Sequence, residues 1–237
     1  MAGMFMPSTY DRAITIFSPE GRLYQVEYAL ELVKRGASMI GVVCPGGVVL
    51  AANEVIESRL QDPKYSWKIF QLDDHIGVAI AGLSSDARLL ISQARIHCQS
   101  NKLLYDEPLD VEVLTRRIGD LMQMYTQHGG VRPFGVSLIF SGVDLTGMRV
   151  FVVDPSGSYK GYKATAVGRK GDEINASLEK EYRDDMTLDE AVSLAVKTMA
   201  STLEGKASPE TIKVAVIPAE TKVFRRLTDE EVAKHLA

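Results

Sequence analysis

The chain has 237 residues, 46% hydrophobic and 24% charged, an ordinary globular balance with enough length to bury about three quarters of its unfolded surface in one large domain or two small ones. A net charge of −4, with basic residues only in short pairs such as Lys34-Arg35, Arg116-Arg117 and Arg225-Arg226, excludes nucleic acid as the main partner, because phosphate binding needs clustered cations. Cys44 and Cys98 are too few for a disulfide framework, no apolar run is long enough to span a bilayer, and the N-terminal MAGMFMP lacks the basic flank and apolar core of a signal peptide, so a cytoplasmic protein without membrane contact is expected.

The stretch 10-YDRAITIFSPEGRLYQVEYA-29 holds three tyrosines, an Asp-Arg pair and a Ser-Pro-Glu-Gly turn close to a chain end, where large aromatic side chains are normally sparse. Leu23, Val26, Leu30 and Val33 then recur at helical spacing, predicting a helix that ends at Gly36. The β-branched runs 39–43 and 47–52, around Pro45-Gly46-Gly47, and the runs 68–73 and 76–82 read as strands joined by hairpin-like turns. A helix follows, capped by Ser84 or Ser85, with Ala87, Leu90, Ile91, Ala94 and Cys98 on one buried stripe. A second amphipathic helix starts after Asp110, carrying Val111, Leu114, Ile118, Leu121, Met122 and Tyr125. After Gly129-Gly130 come strands at 134–143, 148–154, 158–162 and 163–168, and helices at about 171–183 and 187–204. Thr187 and Glu190 have capping-box spacing in the last of these. A strand at 212–218 and a short helix capped by Thr228 with Glu231 finish the chain. Strands in succession, each group followed by a helix pair, predict an α+β chain: a four-layer α/β/β/α sandwich of two mainly antiparallel sheets.

The opening stretch closely resembles the signature of proteasome α-type subunits, and the similarity continues through 82-GLSSDAR-88, 125-YTQHGGVRPFGVSLI-139 and 162-YKATAVG-168. It covers nearly the whole chain and is nearest to the archaeal type. The resemblance implies the N-terminal-nucleophile hydrolase fold in a single domain over 1–237, with residues 1–19 as gate segment and turn and 20–36 as a helix on the ring face. It also implies a non-catalytic subunit of the 20S core particle. Aligned on strand 39–43, the β-type nucleophile position falls at Ala37, which has no hydroxyl. Ser38 reads as a strand residue, since a displaced nucleophile would also need a free α-amine beside it.

By the same resemblance the chain forms the outer heptameric ring with other α-type subunits and stacks on β-type subunits. It admits unfolded protein and docks an ATP-dependent regulatory ATPase. Tyr10, Asp11, Arg12, Pro19 and Tyr28 are the gate residues; taken singly, Tyr28 also reads as interface packing and Asp11 as a turn acceptor. Lys68, Gly36 and Leu83 form the pocket for an activator C-terminus, where an ammonium and backbone amides would hold a terminal carboxylate; without the resemblance Lys68 reads as a solvated strand end. His128, Gly129, Gly130, Val131 and Arg132 form the channel constriction, with a helix C-cap as the plainer reading of the two glycines. The chain departs from the archaeal pattern at His128, in place of Tyr, and at Leu30, where a basic residue often occurs. A ring of histidines would titrate near neutral pH, and an outward-facing His128 is the blander alternative. His75, His97 and His235 have no ligand spacing and no phosphate-loop motif is present, so neither metal nor cofactor is expected and ATP belongs to the partner.

Overall fold

The computed structural model describes residues 15–54, 58, 60–61, 68–203 and 207–236. Helix α1 (Tyr24–Arg35) leads into the hairpin β1 (Met39–Cys44) and β2 (Gly47–Asn53). Next come β3 (Ile69–Asp73), β4 (Ile76–Gly82), α2 (Ser84–Tyr105) and α3 (Val111–Met124). A second run of strands, β5 (Val136–Asp144), β6 (Gly147–Val153), β7 (Tyr159–Gly161) and β8 (Ala164–Val167), precedes α4 (Gly171–Glu181) and α5 (Leu188–Thr202). The chain closes with β9 (Ile212–Pro218), β10 (Arg225–Arg226) and α6 (Asp229–Leu236).

Two five-stranded sheets result, in the orders β10-β9-β2-β1-β8 and β3-β4-β5-β6-β7. All their pairings are antiparallel. Between them lies a layer that includes Met39, Leu50, Ile139, Val150 and Ile217. Helices α2 and α3 cover the outer face of one sheet through Leu90, Cys98, Leu114 and Ile118, while α4, α5 and α6 cover the other through Ile174, Leu178, Val196 and Val232. Both faces of the central strands are therefore dry. This is why β5 is buried at every position and β2 at all but its last, and why these strands read as continuous apolar runs rather than alternating ones. The predicted α/β/β/α sandwich, with Cys98 in its core, is the observed one.

Three details differ from the sequence reading. Helix α2 is not capped by Ser84 or Ser85: Leu83 occupies the N-cap position and no side chain caps it. Gly82 leaves β4 with φ +115° and the Leu83 amide donates to Gly135 O, so the helix begins one residue earlier than a serine cap requires. Strand β5 starts at Val136 rather than 134, because Pro133 has no N–H to donate and the Gly135 amide is given to Asp86 Oδ2. Arg225-Arg226 is an edge strand paired with Val216 and Ala215, and Arg226 donates to Ile69 O at 2.7 Å. It is more than the solvated pair its charge suggests.

Candidate functional site

Three backbones converge where α1 ends, β4 ends and β5 begins. A Cβ at Gly36 would lie 2.6 Å from the Gly82 amide nitrogen, one at Gly82 would lie 2.2 Å from Gly135 O, and one at Gly135 would lie 2.8 Å from a Leu32 methyl and 3.0 Å from a Leu83 methyl. The contacts at Gly36 and Gly82 are with backbone and closer than a real Cβ tolerates, so only glycine permits the approach there, whereas the neighbours of Gly135 are leucine methyls. Lys68 enters from the side. Its carbonyl accepts from Ile80 N, its amide donates to Glu54 Oε1 at 2.9 Å, and its ammonium lies 3.4 Å from the Ser84 hydroxyl, next to Leu83. The structure thus brings together Gly36, Lys68 and Leu83, but the Gly36 and Leu83 amides expected to meet a carboxylate donate instead to Val33 O and Gly135 O, because the ends of α1 and β4 need them. It adds Ser84 and Glu54, which sequence reasoning missed. Glu54 is buried, and burial pushes its carboxyl above the usual carboxylate range; the Lys68 amide and the charges of Lys213, Arg226 and Lys68 act in the opposite direction.

Beside this pocket, Asp86 in the first turn of α2 is buried and accepts from both terminal nitrogens of Arg132, at 2.6 and 2.9 Å. The Arg132 bond, helped by the Gly135 amide, holds the Asp86 carboxyl below its ordinary range despite burial. Arg132 therefore bonds a helix of its own subunit. His128 is exposed, and its Nδ1–H donates to the Met124 carbonyl at 2.8 Å, closing the last turn of α3. Gly130 has φ +88°, whereas Gly129 has neither a positive φ nor any described atom within 4 Å of a notional Cβ.

In the N-terminal segment, Gly21 N donates to Ser18 O at 2.8 Å around Pro19, a turn with proline and glycine at their favoured positions. Ser18 Oγ accepts from Arg22 N, and Arg22 pairs with Glu27 on α1. Pro19 and Tyr28 are both exposed, and Tyr28 stacks on Tyr24 at 6.4 Å. Tyr10, Asp11 and Arg12 lie outside the described residues. Leu30 shares a surface groove on α1 with Arg22, Tyr24, Glu31 and Lys34.

The proteasome subunit family model matches residues 33–217, and the model of the N-terminal signature of A-type proteasome subunits matches residues 10–31. The proteasome alpha subunit of Methanothermobacter thermautotrophicus strain Delta H is 50% identical over 227 residues, which cover 96% of this chain and 92% of that protein. Its namesake in Methanocaldococcus jannaschii is 49% identical, with 98% and 88% covered, and that of Pyrococcus abyssi is 51% identical, with 96% and 86% covered. The chain belongs to the proteasome α-subunit family.

As a proteasome α subunit it is a non-catalytic, outer-ring component of the 20S core, whose β-type subunits cleave. The residues around the lost nucleophile position agree with this. Ala37 carries only a methyl group, and Ser38 is buried with its hydroxyl donating to Arg169 O at 2.5 Å. A hydroxyl committed to a carbonyl beneath a continuous chain has neither the free amine nor the exposure that a nucleophile needs. Among the described residues no group of three or more His, Cys, Asp or Glu is placed to hold a metal ion, and no helix is long and apolar enough to cross a membrane.

Proposed function

We propose that this proteasome α subunit, working as one domain in the cytoplasm, forms a heptameric ring that gates substrate admission to the proteolytic chamber and docks the C-termini of an activator ATPase. The observation that carries the docking reading is the convergence of Lys68, Gly36 and Leu83 at one end of β4. The Lys68 ammonium lies beside Ser84 at the start of α2, where helix amides without a side-chain cap favour a negative group. A terminal carboxylate is the ligand such a pairing suits. Lys68→Ala is expected to abolish activator-stimulated degradation of folded substrates while native mass spectrometry still finds the ring; unchanged stimulation would remove Lys68 from the docking site.

Assembly is supported by the exposure of Leu89, Ile96 and Leu103 at 58, 54 and 87%, seven residues apart and so on one face of α2. The constriction reading of 128–132 draws on Gly129, for which nothing in the described chain demands glycine; backbones of neighbouring subunits approaching an axis would. Tyr10, Asp11, Arg12, Pro19 and Tyr28 are proposed as the gate residues on the N-terminal signature match, with the exposed Pro19 turn tied to α1 through Arg22 and Glu27. The competing reading, a self-processing hydrolase, predicts cleavage before Ala37 or Ser38, and intact mass distinguishes it.

A further inference from the structure

We propose that Asp86 is a positioning residue for the docking pocket and that, through Arg132, it ties the pocket to the loop 128–132. The inference rests on the docking reading of Lys68, Gly36 and Leu83. One Asp86 oxygen, Oδ2, accepts both from Arg132 Nη1 at 2.6 Å and from the Gly135 amide at 2.9 Å; Oδ1 accepts from Arg132 Nη2 at 2.9 Å. Arg132 also donates to Pro133 O at 2.9 Å, which closes the segment 132–135 around the carboxylate. Gly135 O in turn accepts the Leu83 amide at 2.9 Å. The same carbonyl leaves no room for a side chain at residue 82, where a Cβ would lie 2.2 Å from Gly135 O, and a Cβ at 135 itself would lie 3.0 Å from a Leu83 methyl. A single carboxylate thereby sets Gly135, and Gly135 sets the pocket wall on which Gly36 rests.

Neither Asp86 nor Arg132 is among the residues assigned to the pocket, so their effect on it is geometric. A two-pronged guanidinium–carboxylate pair fixes direction as well as distance, which a lysine in place of Arg132 would do only in part. Asp86 is 6% exposed while the Arg132 side chain is 58% exposed, so it is the carboxylate, not the guanidinium, that is poorly compensated when left alone. The link also gives a reason for arginine at the end of the loop 128–132. The loop, through Arg132, and the pocket, through Gly135, share Asp86 Oδ2, so displacement of one is felt by the other.

The test uses full-length rings assembled with β-type subunits and a fluorescent peptide bearing the activator ATPase's C-terminal residues, as free acid and as C-terminal amide. Wild-type rings are expected to bind the acid and not the amide, and Lys68→Ala to bind neither. Asp86→Asn and Arg132→Gln should each weaken binding of the acid by about tenfold with the ring intact by native mass spectrometry. Arg132→Lys should recover part of that loss, and the double variant should be no weaker than either single one, as expected of groups acting as a unit. Unchanged affinity in both single variants, with Lys68→Ala still unable to bind, would overturn the positioning role and leave docking in place. If the single variants fail to assemble, an Arg132→Lys ring with wild-type affinity would overturn it instead. Equal binding of acid and amide by wild-type rings would end the docking reading, and this inference with it.

Discussion

At the scale of single residues, two buried carboxylates near the pocket respond to pH in opposite senses. Asp86 has a folded-state pKa below its unfolded value, held there by Arg132. The stability it supplies is present above the ordinary aspartate value and is lost as pH falls through the lowered one. Glu54 is raised by burial; its contribution is present below the ordinary glutamate value and is lost as pH rises through the raised one. Thermal melting across the acidic range should therefore show Arg132→Gln losing most, relative to wild type, at neutral pH, with the gap narrowing below about pH 4. Glu54→Gln, which still offers an acceptor to the Lys68 amide, should exceed wild-type stability at neutral pH, with the difference shrinking in acid. A gap that stays constant with pH in either variant would mean that the carboxylate in question is not shifted. Leu83 was a candidate because it lies in the motif 82-GLSSDAR-88, and Lys68 only through the resemblance of the chain as a whole. Asp86 was not, since nothing in 82-GLSSDAR-88 says that its partner lies at 132.

At the scale of elements, two of the three capping expectations held and one did not, for a physical reason. Thr187 accepts from Glu190 N while Glu190 accepts from Thr187 N, and Thr228 and Glu231 repeat the exchange at α6. Both are local motifs whose partners lie within one turn, so spacing alone revealed them. The start of α2 depends instead on Gly135, which reaches it from across the chain. Thr187→Ala is expected to cost about 1 kcal/mol, whereas Ser84→Ala, removing a hydroxyl that caps nothing, should change stability by no more than about 0.5 kcal/mol. Urea unfolding of the isolated chain measures both, and equal losses would contradict the cap assignment. The two-residue strand β10 escaped sequence reading because its residues are charged and its pairing with β9 is an edge contact, and because periodicity needs a longer run to declare itself.

At the scale of the whole molecule, native mass spectrometry should give seven or fourteen times 26.0 kDa if the α ring forms without β-type partners. A stable monomer after β co-expression would contradict ring formation. Deleting residues 2–11, which lie outside the described residues, should raise basal peptide hydrolysis by the reconstituted barrel. Equal rates for full-length and truncated rings would show that this segment does not gate the channel.

The four-layer architecture, the positions of its helices and strands to within a few residues and the buried stripe ending in Cys98 were set by the sequence itself, and the resemblance to α-type subunits marked Ala37 as a position without a nucleophile. Each depends on local periodicity, on nearby capping partners or on a residue type that chemistry either permits or forbids. Only the tertiary structure decided that Gly36, Gly82 and Gly135 pack backbone to backbone, that Lys68 projects toward Ser84, that Glu54 is buried beneath Lys68, and that Asp86 holds Arg132 and Gly135 together. These contacts join residues 14 to 49 or more positions apart. Their energies come from close approach and directed hydrogen bonds, which leave no periodic trace along the chain.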